Sequence, residues 1–324
     1  MLQFLVRRLL QAVGVLAVMS LLVFVGVFAI GNPVDVMIDP AASEAERQAA
    51  IVALGLDQPM WRQYLTFVGN ALQGDMGKSF VYNQSASELI LSRLPATFEL
   101  AVMAMLIAVA IGLPMGLWAG LKPGSWADRL LMTISIFMFS LPTFWVGLLL
   151  IMGFAVTLGW LPSGGRGETR ELFGVPFAFL TWDGFQHLLL PAFNLALFKL
   201  ALVLRMVRGG VREQMTSDYV AFARAKGVSE TRIVFKHVLR NIMLPVITVM
   251  GLEFGNILAF AVVTESIYAW PGMGKLLINA ITVLDRPVIV AYLMITVFIF
   301  IVINLIVDLT YTLLDPRVRT GGAK

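Results

Sequence analysis

Charge, histidine and cysteine are what this sequence has least of. Of its 324 residues only 14% are charged, two are histidine and none is cysteine. Without cysteine there is no disulfide, no thiol nucleophile and no thiolate metal site. His187 and His237 stand far apart in the chain, so no metal centre is expected. Soluble domains usually carry about 25% charged residues. Here 59% of residues are hydrophobic and the mean hydropathy is +0.85. A soluble core inside a solvated surface is excluded by that balance, and the chain reads as a membrane protein.

A membrane helix needs roughly 20 largely apolar residues. Leu9–Ile30 and Leu100–Leu121 are uncharged runs of that length. Leu130–Gly165 also lacks charge and is too long for one helix, so a third span is expected at about 131–157, with Pro142 inside it. Further spans are expected at about His187–Leu204, interrupted by Lys199, at Asn241–Thr264, with Glu253 near its middle, and at Val288–Leu313, with Asp308 near its end. These runs are continuous, whereas a membrane β-barrel needs alternation. Arg7 and Arg8 precede the first run as they would in a signal peptide. The run is longer than the 7–15 residues of a signal's apolar region, so a retained helix is expected.

Basic residues set the orientation. With the N-terminus inside, segments 1–8, 122–129, 208–240 and 314–324 carry fourteen of them, and the longer outer segments carry eight. Both termini are therefore read as cytoplasmic. The outer 31–96 region is polar enough to form a cap and contains a short amphipathic helix, Ser43–Leu54, with Ser43 as N-cap and Glu46 three residues on. Gly74-Asp-Met-Gly77-Lys78-Ser79 imitates a phosphate loop, but Leu72 stands where that loop needs its first glycine. It reads as a turn.

The inner 208–240 loop is the most basic part of the chain. Ser217 to Thr231 reads as a helix, a stop at Gly227, then a new helix capped by Ser229. Apolar Ile233, Val234, Val238 and Leu239 lie among basic Arg232, Lys236 and His237. Such a segment is either an anchor on anionic lipid or a peg for a cytoplasmic partner, and spacing alone leaves both open. The small residues Ala221, Ala223, Ala225 and Gly227 favour close packing by another surface.

The stretch Tyr219-Val-Ala-Phe-Ala-Arg-Ala-Lys-Gly227, followed by His237-Val-Leu-Arg-Asn241 and Leu244-Pro245, resembles the signature loop of ABC importer permeases. More closely, it looks like the first permease subunit of dipeptide, oligopeptide and nickel importers. Phe4-Leu-Val-Arg-Arg8, Leu56-Asp57-Gln58-Pro59, Gly74-Asp75-Met76-Gly77, Arg93-Leu94-Pro95-Ala96-Thr97 and Ser140-Leu141-Pro142-Thr143-Phe144-Trp145 extend the likeness. Trp270-Pro271-Gly272-Met273-Gly274, Asn304-Leu-Ile-Val-Asp308 and Asp315-Pro316-Arg317 complete it, in order, over nearly the whole chain. The general signature opens Glu-Ala-Ala, where this chain has Ala221, Phe222 and Ala223.

The resemblance implies an all-α integral membrane protein of about six transmembrane helices with the type I ABC importer permease fold. It implies a single permease domain over 1–324, with 31–96 as an extracytoplasmic loop region and 208–240 as a cytoplasmic coupling loop, in a bacterial cytoplasmic (inner) membrane. A coupling helix at about 224–237 would enter a cleft on a separate ATPase, through Ala221, Ala223, Arg224, Ala225, Lys226, Gly227, Val228, Ser229, Glu230, Arg232 and Phe235. The expected partners are a homologous second permease in a heterodimer, two cytoplasmic ABC ATPase subunits, an extracytoplasmic substrate-binding protein and the lipid bilayer, with no nucleic acid. No catalytic residue and no cofactor are expected in this chain, since ATP and Mg would be held by the ATPases. The expected solutes are di- and oligopeptides, with nickel chelates, glutathione or another small solute as the alternative. A secondary transporter or channel would not need a shaped docking loop. A membrane enzyme would need a polar cluster, and the carboxylates here sit singly on separate helices.

Ionisable groups at membrane depth are costly and are functional candidates by default. Lys199 and Glu253 are expected either to hold the two charged ends of a peptide in the pathway or to pair with one another. Asn304 and Asp308, one turn apart, are expected to make a structural or gating hydrogen bond. Trp270, Pro271 and Gly272 are expected in an outer turn at the pathway or gate. Glu99 lies near the outer interface and is expected to be hydrated. Pro114 and Pro142 are expected to kink their helices.

Overall fold

The computed structural model describes residues 2–29, 43–53 and 56–314. The Asp315-Pro316-Arg317 motif and the 31–42 part of the outer region lie outside them. Among the described residues five helices are long and apolar enough to cross a membrane, and a sixth crossing is made if a bent helix pair counts as one span. Close contacts gather the chain into two compact units. One comprises residues up to Pro95 together with Pro271–Ile301, and the other comprises Ala96–Trp270 together with residues from Val302 on.

In the first unit, α1 (Leu2–Ala29) is followed by α2 (Glu44–Ala53) and α3 (Met60–Leu72). Helix α1 contains most of the uncharged Leu9–Ile30 run and is long and apolar enough to cross a membrane. The α2 start is the expected capping box: Glu46 N–H donates to Ser43 Oγ at 3.4 Å, and Glu46 Oε2 accepts from Ser43 N–H at 2.8 Å and its hydroxyl at 2.9 Å. Those two donors hold the Glu46 carboxyl below its usual range. Helix α3 packs on α1 through a 2.9 Å hydrogen bond between the Ser20 and Tyr64 hydroxyls, and through Phe24 set against Tyr64 and Phe67. The Gly74–Ser79 segment is a turn, and its Ser79 is buried on Asp285. The Asp285 carboxylate also accepts from Phe80 and Val81 N–H, so one buried acid satisfies the turn's donors and secures it to the end of α12 (Met273–Thr282).

In the second unit, α4 (Ala86–Leu121, here from Ala96) lies along α7 (Trp182–Met215). Gly112, Gly116 and Gly120, spaced by four, face Val203, Val207 and Val211, also spaced by four. A Cβ on Gly116 would lie 2.7 Å from the Leu204 carbonyl oxygen and 2.8 Å from Val207 Cβ. In hydrocarbon, where no hydrophobic drive joins helices, close approach over small residues is what holds them together. The Val203–Val211 stripe is fully buried as a result. The α7 helix is continuous through Lys199 and extends past the expected end at Leu204 to Met215, so the inner loop opens at Thr216 and not at 208. Arg208 and Gly209-Gly210, which read as loop, are helical because Arg208 pairs with Asp128, near the start of α5 (Trp126–Ser140).

The third span is broken, not kinked. Helices α5 and α6 (Thr143–Leu150), the latter continued by a π-helical turn Ile151–Thr157, meet at 107°. Leu141 is extended (φ −85°, ψ 138°). The cause is Pro142, whose ring excludes the helical region for the residue before it. A two-stranded antiparallel hairpin, β1 (Arg170–Leu172) and β2 (Val175–Phe177), precedes α7. After α7 come α8 (Asp218–Ala225), α9 (Glu230–Arg232), a π-helical turn Ile233–Val238, α10 (Leu239–Phe260) and α11 (Val262–Ile267). Helix α13 (Arg286–Leu314) ends the described chain, and its Val307 is met so closely by Gly251 of α10 that a Cβ there would lie 2.4 Å from Val307 Cγ2.

Candidate functional site

The inner loop is built on a buried footing. Val220, Ile233 and Val238 are fully buried in the same core cluster as Val207, Val211 and Ile242. Gln214, near the end of α7, accepts from the Tyr219 hydroxyl at 2.8 Å and from Asn241 Nδ2 at 3.2 Å, which ties α7, α8 and α10 together. Gly227 closes α8 with φ +74°, and its N–H donates to the Arg224 carbonyl while Val228 N–H donates to that of Ala223. This is the left-handed C-terminal stop that glycine permits at no steric cost. Arg224 forks across the turn onto Glu230, at 2.6 and 3.2 Å. That hydrogen bond, with the carboxylate's charge behind it, raises the Arg224 pKa.

What the footing presents is aromatic and basic. Phe222 is 62% exposed and Phe235 60%. Lys226 Nζ lies 4.4 Å from the Phe222 ring centre. Ala221, Ala225, Gly227, Ser229 and Arg232 are exposed beside them, whereas Ala223 and Val228 are half-buried on the inner side. The loop therefore separates into a packed face and an offered face. The expected helix over 224–237 is not one helix. The Gly227 turn divides it, and its second half runs straight into α10. The free-standing short helix is α8, ahead of that glycine.

At membrane depth, Lys199 of α7 and Glu253 of α10 form an ion pair, and Asn256 Nδ2 donates to Glu253 at 3.4 Å. About a fifth of each paired side chain is exposed. Asn304 and Asp308 lie on α13 on either side of Val307, and the Asn304 Oδ1 is buried without a hydrogen-bond partner. Glu99 is not hydrated. It is 4% exposed, accepts from Arg166 at 2.8 Å and from Phe179 N–H at 2.8 Å, and so anchors the outer hairpin. Arg166 also donates to the Pro176 carbonyl and lies 5.7 Å from the Trp270 ring centre.

Trp270 is wholly buried and donates to the Ala96 carbonyl at 2.9 Å. It packs a core with Leu100, Leu188 and Ala192. Gly272 is the N-cap of α12, and with Pro271 it lines a recess beside Tyr82, Arg93 and Lys275. The structure thus joins Lys199 to Glu253 and gives Trp270 to the Glu99–Arg166 group. Sequence reading missed Arg166 and the Asp128–Arg208 pair, which no local spacing announces. It also missed the Gly112-Gly116-Gly120 stripe, whose signal, three glycines at intervals of four in an apolar run, was legible.

Residues 112–320 match the family model of the binding-protein-dependent transport system inner membrane component, and residues 1–101 match the N-terminal model of such membrane components. Among curated relatives, the chain is 41% identical to a di/tripeptide transport system permease protein, DppB, of Pseudomonas aeruginosa (98% of this chain, 99% of the relative). It is 39% identical to the oligopeptide transport system permease protein AppB of Bacillus subtilis and 38% identical to the glutathione transport system permease protein GsiC of Escherichia coli, each over 98% of this chain and 99% of the relative. Among solved structures, a chain of the methionine ABC transporter MetNI in an inward-facing conformation matches with a TM-score of 0.53 at 15% identity, over 70% of this chain and 96% of that one. That last likeness concerns the fold.

Proposed function

Because this chain belongs to the family of inner membrane components of binding-protein-dependent transport systems, we propose that it is the di- or oligopeptide permease subunit of an ATP-driven importer. It supplies half of the pathway beside a homologous second permease. Two cytoplasmic ATPases hold ATP and Mg, and an extracytoplasmic binding protein delivers the solute. The chain itself carries out no bond-making step. The peptide assignment draws on relatives named for di/tripeptide and oligopeptide transport, and glutathione is the second reading on the strength of a relative named for it.

One observation carries the coupling role: the offered face of the inner loop, with Phe222 of α8, Lys226 and Phe235 of the following π-helical turn outward, rests on residues buried in the core shared with α7 and α10. Close-packed interiors are stiff and transmit displacement. A push on α8 is therefore delivered to two membrane-crossing helices, and closure of the ATPases would swing them between inward-open and outward-open arrangements. The Lys199–Glu253 pair can either remain a fixed clamp or open to take the two charged ends of a peptide. The test is to tag this chain, co-purify it with the products of its neighbouring genes, reconstitute the assembly and measure ATP-dependent uptake of dipeptides, longer peptides, glutathione and nickel chelates. Uptake of peptides alone supports the first reading and uptake of glutathione the second. A chain that purifies alone and moves a solute down an ion gradient overturns both.

A further inference from the structure

In the first unit, the opening turns of α4, the turn ahead of them and α12 enclose an open recess of about 150 Å³. Tyr82, Arg93, Lys275 and Asn279 form its walls, with Gly272 and Leu276 between them. Arg93 precedes the uncharged Leu100–Leu121 run, and α12 ends ahead of the uncharged run from Pro287 to Val307. With both termini cytoplasmic, both runs enter the membrane from the outer side, so the recess belongs to the outer face.

Its walls are held in place. Tyr82 N–H donates to Ser79 Oγ at 2.9 Å, and that hydroxyl donates to Asp285. Asp285 N–H donates to the Ala280 carbonyl of α12 at 2.8 Å. The turn that carries Tyr82 is thereby tied to the helix that carries Lys275 and Asn279, which share one face at a spacing of four. On α4, Leu89 and Ile90 are buried and Arg93 is exposed.

The lining has charge of one sign. Arg93 and Lys275 bring two cations, and Tyr82 and Asn279 add a hydroxyl and an amide that can donate. No carboxylate stands among the described residues of the lining. Such a set suits a carboxylate, whose two oxygens match the arginine fork. The surroundings suit a protein. Val81, Val283 and Leu284 are exposed close by, Val81 with its N–H on Asp285. Tyrosine and arginine are the side chains that most often anchor protein interfaces.

We infer that this recess is a docking point for the extracytoplasmic binding protein, taking an Asp or Glu side chain from that protein's surface against Arg93 and Lys275. The inference rests on the reading that a binding protein delivers the solute. Opposite charge steers such an encounter and fixes its register, and walls already in place lower the cost of ordering them.

The test measures ATP hydrolysis by the assembled transporter in nanodiscs as purified, solute-loaded binding protein is titrated in, for the wild type, Arg93→Glu and Lys275→Glu. The concentration giving half of the stimulation should rise at least about tenfold in each variant, because like charges then face each other. Changing one surface Asp or Glu of the binding protein to Lys should return it toward the wild-type value, and a variant restored in that way is folded and assembled. Arg93→Gln and Lys275→Gln, which should shift the concentration less and weaken its dependence on salt, serve where charge reversal prevents assembly. An unchanged concentration in all four variants overturns the inference and leaves delivery by a binding protein intact. A shift in the Glu variants that no carboxylate reversal restores also overturns it. So does a shift that vanishes when phosphatidylglycerol is left out of the nanodiscs, which gives the recess to a lipid headgroup. A wild type that the binding protein does not stimulate removes the delivery reading itself, and the inference with it.

Discussion

At the scale of the residue, the costly groups are those whose charge is held at membrane depth. Lys199 and Glu253 satisfy each other. Breaking a fully buried pair by removing one partner costs roughly 3–5 kcal/mol, because the other charge is left uncompensated. With about a fifth of each side chain exposed, Lys199→Met or Glu253→Gln should cost less, about 2 kcal/mol. The double variant should recover most of that. Thermal unfolding of the three variants in detergent checks this, and simple additivity of the two losses would contradict a direct pair. The sequence offered this pairing as one of two readings and could not choose between them, since 54 positions separate the two residues and nothing local links them. Glu99 teaches the same lesson. Its place near the outer interface suggested water, but the loop that follows α6 folds back and supplies Arg166.

At the scale of the element, the helices were legible wherever the apolar run alone decides. A run of the right length must be a helix in lipid because its backbone groups have no other partner. Their ends were not. Helix α7 continues past the apolar run because Asp128 neutralises Arg208 and lets a charged, glycine-bearing segment remain helical. The break at Leu141-Pro142 was visible as a proline but not as a 107° turn, since how far the chain swings depends on what packs beside it. The α4–α7 seam is the most demanding contact. Gly116→Ala would drive a methyl to 2.7 Å from the Leu204 carbonyl oxygen. Overpacking of this kind costs about 1–3 kcal/mol, so a drop in melting temperature is expected, and Gly116→Leu should abolish recovery of folded protein. Gly209→Ala on α7, where the added methyl meets open space, is the control that should fold normally.

At the scale of the whole molecule, the chain is a permease whose 216–240 loop sets exposed aromatics and cations on a buried footing. The sequence carried that loop, and the family, through Tyr219 to Gly227. It did not show that α8, ahead of the glycine, is the free-standing helix, because the balance of helix and turn there is struck by the Arg224–Glu230 fork and by the burial of Val220. The two most pointed substitutions leave the core alone. A valine at position 227 must adopt φ +74°, a left-handed conformation costing about 1–2 kcal/mol, yet the space around it is open. Phe222→Asp alters only the offered face.

The most direct test is ATP hydrolysis by the assembled transporter in membranes, with and without the loaded binding protein, for the wild type, Gly227→Val and Phe222→Asp. If the loop passes motion between the ATPases and the membrane helices, both variants assemble and retain basal hydrolysis but lose the stimulation given by the binding protein and its solute. If both variants are stimulated as fully as the wild type, the loop does not couple, and that account is wrong.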